Sequence, residues 1–308
     1  MDEHKNLLIG GADGYVWEDI QYWVNSMKQA CPTADIALVA TNIELKEAER
    51  IKAKGVNVTL YGERDGDYFK PVQDFAPHVA RFFYMWQVLN EMKNPYTNVI
   101  STDTRDVIFQ RDPFELLEDR FGEFVVSSEG IRYQNEPWGA QNYIQCFGSI
   151  LYEQNKDELI KNVGVFGGPL DFVRDMLLHI FTNSVNRSIP IVDQAVFNFI
   201  LSNSMIRDTL YESFNDDGWA IQLGTTEMAV ENGAGDLGKH VEQINDMSWY
   251  HSIYEDEQPS IDVGDASITN SQNQEFAIVH QYDRIEGLGE QIRAKYGDRE
   301  NEMLRVKV

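Results

Sequence analysis

Only two cysteines, Cys31 and Cys146, occur in 308 residues. That is too few for a disulfide framework or a zinc cluster and fits two free thiols in a reducing compartment. Long apolar runs are also missing. No stretch reaches the roughly 18 residues that a membrane-spanning helix needs. The opening Met1-Asp2-Glu3-His4-Lys5 leads into apolar residues 7–9, a run too short and too acidic at its start for a signal peptide. A soluble, cytoplasmic protein with no transmembrane segment is expected. Basic residues are scarce: 26 Lys and Arg against 50 Asp and Glu leave a net charge of −24. Such a surface repels a phosphate backbone, which argues against a nucleic-acid partner. An anionic nucleotide is still admissible if a divalent cation sits between it and the protein. No internal repeat or low-complexity linker interrupts the chain, so one domain over 1–308 is expected.

What is present suits an α/β fold. Hydrophobic residues at 43% and aromatics at 12% can build a sizeable core, which excludes global disorder. Apolar residues 7–9 run into Gly10-Gly11-Ala12-Asp13-Gly14, a buried strand followed by a tight loop. Val16, Ile20, Trp23, Val24 and Met27 then recur at helical spacing. A strand over 36–40, a helix over 44–54 stopped by Gly55, and a strand over 56–61 continue the alternation. A helix over 78–92, ended by Asn94-Pro95, precedes a central strand over 98–101. Further on, the pattern gives an extended 107–109, a strand over 124–128, a Gly-rich stretch over 161–168, and helices over 170–183 and 193–203. Strand and helix alternation of this kind makes a mainly parallel sheet flanked by helices. Residues 208–275 carry 15 acids and one lysine and read as irregular. A last strand over 276–279 and a charged surface helix from Arg284 close the chain.

The most informative segment is the end of the central strand, Ile100-Ser101-Thr102-Asp103-Thr104-Arg105-Asp106-Val107. Ligands of open α/β sheets bind at the carboxyl ends of the strands. Hard cations such as Mg²⁺ and Mn²⁺ take one or two carboxylates there and leave the rest of their shell to phosphates. Taken alone, Asp103 also reads as a turn cap and Asp106 as an ion-pair partner of Arg105. In context, an apolar strand, Asp-x-(x)-Asp and an apolar triplet resemble the acidic metal loop of GT-A fold glycosyltransferases. The resemblance is to the retaining galactosyltransferase and glycogenin-like group and extends over residues 7–284. It is carried by Leu7 to Tyr15 (first strand and nucleotide loop), His78-Val79-Ala80-Arg81-Phe82-Phe83-Tyr84, Asn162-Val163-Gly164-Val165-Phe166, Asp193-Gln194-Ala195 and Ile278-Val279-His280. Two features depart from that pattern. The acidic loop has one extra residue, and Gln281-Tyr282-Asp283-Arg284 stands where the group has Gly-x-x-Lys-Pro-Trp.

The resemblance implies a transferase that moves a sugar from a nucleoside diphosphate sugar, a UDP-sugar first, to a glycan or other hydroxyl acceptor, with retention. It implies Mn²⁺, or Mg²⁺, held by Asp103, Asp106 and His280. Ala12, Asp13 and Tyr15 would hold the nucleoside, Arg81 would face the diphosphate, and Asn162 would hold the sugar; apart from the resemblance, Arg284 in the departing segment is a cation that can offset diphosphate charge. Asp193 and Gln194 would be the catalytic pair at the sugar. The nucleotide-binding part would cover about 1–110, the acceptor side about 111–284, and a helical tail 285–308. Each residue also has a plain structural reading: Asp13 as a turn residue, Asp193 as a helix cap, His280 as a satisfied strand-end histidine. Glu136-Pro137-Trp138-Gly139 with Asn142 reads equally as a sugar-stacking acceptor element or a buried aromatic anchor, and Gly224-Thr225-Thr226 as a strand end near the cleft. Two other functions share these features: a non-catalytic sugar-nucleotide-binding module and a nucleotidyltransferase. The latter prefers a basic residue in the first loop, where Gly10 to Gly14 carry only Asp13.

Overall fold

The computed structural model describes residues 5–71, 75–92, 96–187, 189, 191–203 and 205–298. The Asn94-Pro95 stop and the tail beyond 298 lie outside the described residues. The strands that matter here are β1 Asn6–Asp13, β2 Asp35–Thr41, β3 Asn57–Leu60, β4 Asn98–Thr102, β5 Val107–Phe109, β6 Phe124–Arg132, β7 Leu159–Pro169, β8 Leu210–Ser213, β9 Ala220–Gln222 and β10 Ile278–His280. A seven-stranded sheet runs in the order β8-β6-β7-β4-β1-β2-β3. Its pairings are parallel except at β7, which is antiparallel to both β4 and β6. A second sheet places β10 between β9 and β5.

Alternation along β1 explains the layering. Leu7 and Ile9 point into one core, with Val99 and the helices α3 Pro77–Glu91, α5 Leu170–Ser184 and α6 Asp193–Asn203. Leu8 and Ala12 point into the other, with Ile100 and the helices α1 Trp17–Ala30 and α2 Leu45–Ala53. Helix α1 fully buries Trp17, Ile20, Trp23, Val24 and Met27, each contributing about 1.5–3 kcal/mol from apolar area removed from water. Pro77 at the first turn starts α3, where a missing N–H costs nothing. Among the described residues no helix is long and apolar enough to cross a membrane, and both cysteines are buried free thiols.

Two expectations need correction. The acidic segment over 208–275 is not mainly irregular: it contains β8 and β9 and the helices α7 Gly235–Ile244 and α8 Met247–Ile253. Helix α7 is amphipathic but buries only Leu237, Gly238 and Val241, an apolar stripe too short to stand out in the sequence. The C-terminal helix α9 Leu288–Tyr296 is half core, because Leu288, Ile292 and Tyr296 are buried. Asn25 ties it down by donating to the Tyr296 carbonyl at 2.8 Å.

Candidate active site

The acidic loop lies where β4 leaves the sheet, at the edge where parallel strands end. Its backbone is pinned from both sides. The Asp103 amide donates to the Gly164 carbonyl and the Gln281 amide to the Asp106 carbonyl, each at 2.8 Å. Thr104 Oγ1 donates to the Gly11 carbonyl at 3.1 Å, and Trp23 Nε1 to Thr102 Oγ1 at 2.8 Å. The extra residue in the loop therefore does not separate its two carboxylates.

Asp103, Asp106 and His280 present three ligand atoms within 4.8 Å of one another. His280 Nε2 stands 3.5 Å from Asp103 Oδ2 and 3.7 Å from Asp106 Oδ1. Its other nitrogen, Nδ1, is 2.7 Å from Gln222 Oε1. The Gln222 amide is oriented in turn, since its Nε2 donates to Ser127 Oγ at 3.0 Å. A proton on Nδ1 then leaves the Nε2 lone pair facing the carboxylates, as metal-ligating histidines require. Gly164 closes the back: a Cβ there would come within 2.6 Å of His280 Cε1 and 3.0 Å of Asp103 Oδ2. Two oxygens, one nitrogen and a glycine cradle fit a divalent cation.

The electrostatics agree. Burial raises the Asp103 pKa, but Arg81 and then His280 outweigh it and hold the carboxyl below the usual range. Burial pushes Asp106 up; His280 opposes this and the charges of Asp103 and Asp283 add to it. Burial disfavours the His280 imidazolium, yet Asp106 and Asp103 raise its pKa.

Two adjoining cavities lie at this end of the sheet, and the second opens on the loop. One, of about 200 Å³, is lined by Ala12, Asp13, Tyr15, Thr41, Arg81 and Tyr84 among others. The second, of about 360 Å³, is lined by Tyr15, Arg81, Asp103, Asp106, Asp193 and Arg284 among others. Gly11, Tyr15, His78 and Arg81 belong to both. In the first, Asp13 Oδ1 accepts from Thr41 Oγ1 at 2.7 Å. Between them, Arg81 contacts Asp103 Oδ1 and lies 3.4 Å from Asp193 Oδ2. Its Nε is buried without a hydrogen-bond partner among the described residues. Burial raises the Asp193 pKa, and Arg81 opposes the shift.

Asn162 and Gln194, which line neither of these two cavities, meet at a residue that the sequence pattern misses. Glu129, buried near the end of β6, accepts from Asn162 Nδ2 at 2.7 Å and from Gln194 Nε2 at 3.1 Å. Asn162 Oδ1 is also used, accepting the Gly164 amide at 2.7 Å. Burial raises the Glu129 pKa, and the two amides counter it. The signal was an acid directly after Phe124-Val125-Val126-Ser127-Ser128. Glu136 and Pro137 turn out to start the helix α4 Pro137–Phe147: the Glu136 side chain accepts from the Trp138 and Gly139 amides. Trp138 is half-buried. Gly224 stands at the end of β9, with its amide donating to Gln281 Oε1 at 3.0 Å.

This sheet order, with the acidic loop at the strand ends, is the GT-A glycosyltransferase fold, in a chain that no protein-family model and no curated protein sequence matches. Similar solved structures include three glycosyltransferases. The galactosyltransferase LgtC, in complex with donor and acceptor sugar analogs, aligns with a TM-score of 0.52 at 13% identity over 98% of this chain and 100% of LgtC. The bifunctional glycosyltransferase WbbM in its apo form aligns with a TM-score of 0.55 at 11% identity, over 100% of this chain and 52% of that one. The apo-form glycosyltransferase GlyE of Streptococcus pneumoniae TIGR4 gives 0.47 at 12% identity, over 90% of this chain and 54% of GlyE. The chain thus spans about half the length of WbbM and GlyE. At these identities the likeness is one of fold.

Proposed function

We propose that the protein is a metal-dependent glycosyltransferase that moves a sugar from a nucleoside diphosphate sugar, in the first instance a UDP-sugar, to a hydroxyl of a glycan or other acceptor. The observation that carries this reading is the Asp103–Asp106–His280 cluster opening on the same cleft as Asp13, Tyr15 and Arg81. A bound Mn²⁺ or Mg²⁺ would supply positive charge to the diphosphate leaving group. In this reading Ala12, Asp13 and Tyr15 take the nucleoside, Arg81 and Arg284 face the diphosphate, and Asp193 and Gln194 act at the sugar. Asn162 supports Gln194 through Glu129. One catalytic unit follows, with its nucleotide side over about 1–110 and its acceptor side over about 111–284.

Retention of configuration fits the state of the carboxylates. Asp103 and Asp193 face Arg81, Asp283 lies beside Arg284, and Glu129 is spent on two amides. None of these stands uncommitted as a general base, whereas the leaving phosphate can itself take the acceptor proton. A screen of UDP-, GDP- and dTDP-sugars for donor hydrolysis, with and without Mn²⁺, tests the reading. Mn²⁺-dependent release of nucleoside diphosphate from one donor class is expected. Tight donor binding without hydrolysis or transfer would favour a non-catalytic module. Release of pyrophosphate on nucleoside triphosphates would favour a nucleotidyltransferase.

A further inference from the structure

Three guanidiniums line the cleft beside the acidic loop, and two are already engaged. Arg81 lies between Asp103 and Asp193, and Arg284 Nε is 3.7 Å from Asp283. The third, Arg105, is exposed and lines the same cleft. Its guanidinium makes no hydrogen bond or ion pair with any described residue. That is unexpected in a chain with 50 acids against 26 bases, where an exposed arginine has carboxylates all around it.

The backbone of Arg105, by contrast, is held firmly. Tyr282 Oη donates to its carbonyl at 2.8 Å, and the flanking Asp103 amide and Asp106 carbonyl are both bonded. A fixed loop thus delivers a free cation into the cleft. Of the charges acting on the Tyr15 hydroxyl, that of Arg105 is the strongest. Tyr15 is shared by the two cavities, so Arg105 acts at their junction, between the nucleoside side and the carboxylate cluster. Charge count leads to the same place. With Asp103, Asp106, Asp193 and Asp283 ionised, the lining carries four negative charges against three arginines. A divalent cation turns the balance to one positive, and deleting Arg105 returns it to zero.

We propose that Arg105 binds the diphosphate of the nucleotide ligand, bridging the stretch between Tyr15 and the cation cluster, and stays paired with the nucleoside diphosphate as it leaves. This rests on the functional reading above. Among the described residues lining the cleft, its guanidinium alone among the arginines binds the ligand without first giving up a carboxylate, and a planar fork suits two phosphate oxygens.

Isothermal titration of UDP, UMP and uridine in excess Mn²⁺ onto wild type, Arg105→Gln and Arg105→Lys tests this, with thermal melts to check folding. Arg105→Gln should weaken UDP about tenfold or more, as for loss of a charge-assisted contact. UMP should lose less and uridine nothing, while Arg105→Lys should recover part of the UDP affinity. UDP affinity in Arg105→Gln within twofold of wild type overturns the assignment alone, as does an equal loss for uridine. Wild type that binds none of UDP, GDP and dTDP overturns the functional reading and takes this assignment with it.

Discussion

Gln222 never touches the cleft, yet it decides which nitrogen of His280 is offered to a cation. Fully buried at the end of β9, it accepts from Nδ1 and donates to Ser127. Replacing it by leucine keeps the volume but frees the ring to rotate or to change tautomer. Gln222→Leu should weaken Mn²⁺ binding about 10- to 100-fold, the usual cost of losing the partner behind a ligating histidine. Electron paramagnetic resonance titration of Mn²⁺ checks this, and an unchanged affinity would show that His280 is not a ligand. On the sugar side the expectation differs. Asp193→Ala and Gln194→Ala should lower turnover at least tenfold, as removal of transition-state contacts does, with nucleotide affinity nearly unchanged. Wild-type turnover in both would mean that the pair is structural. An acidic pair after a buried strand also reads as a turn cap and an ion pair, so Asp103, Asp106 and His280 stood out in the sequence only through the ordered resemblance, and the structure brings the three together. Glu129 was not legible: it needs Asn162 and Gln194, 33 and 65 residues away, and pairings at that range leave no local trace.

Elements were readable wherever one face is continuously apolar. Strands β2 and β4 and helices α1, α3 and α6 lie within a few residues of their expected bounds, because each carries a full stripe or a fully buried run; β1, expected over 7–9 with a loop from Gly10, instead runs on to Asp13, because the glycine backbone goes on pairing with β2. Helix α7 escaped because Leu237, Gly238 and Val241 are its entire buried face. β6 runs past residue 128 because Glu129 and Gly130 interrupt its pattern while the pairing continues to Arg132. How closely two elements meet is set by glycine at one contact. A Cβ on Gly10 of β1 would overlap the Thr104 methyl and come within 3.2 Å of the Thr102 carbonyl. Gly10→Ala should therefore push the acidic loop off β1, destabilising the fold by about 1–3 kcal/mol and weakening Mn²⁺ binding with it. Gly264→Ala is the control, since its Cβ would meet nothing nearer than Asp262 at 3.4 Å, and its change should stay within about 0.5 kcal/mol. Equal effects of the two substitutions in urea melts would remove the close approach as the cause.

At the scale of the whole molecule, the excess of acids makes the sign of the pH response predictable. Burial raises Glu136 to about 7 against the pull of the amides it caps, and raises Asp256 to about 6 against the Asn215 and Glu257 amides. Glu129 is shifted in the same direction. Each has a folded pKa above its unfolded value, so the folded state binds more protons across the interval between the two. Stability is then full below the unfolded values, near pH 4, and is lost as pH rises through the folded ones, near pH 6 to 7. A tenfold difference in proton affinity between the folded and unfolded chain is worth about 1.4 kcal/mol. These groups together therefore account for a few kcal/mol, and mutual repulsion in a chain of net charge −24 adds to the loss. Asp103 works in the opposite sense, since its folded pKa is lowered, but its contribution disappears only as pH falls below about 4 and does not reach this window. In chelator at constant ionic strength, the melting temperature should be roughly 5–10 °C lower at pH 8 than at pH 5.5. Mn²⁺ at pH 8 should recover part of that difference, because binding to the folded state alone stabilises it by mass action. A melting temperature that is flat or rising from pH 5.5 to 8 would mean that water reaches Glu136 and Asp256 and that their burial does not penalise the charge.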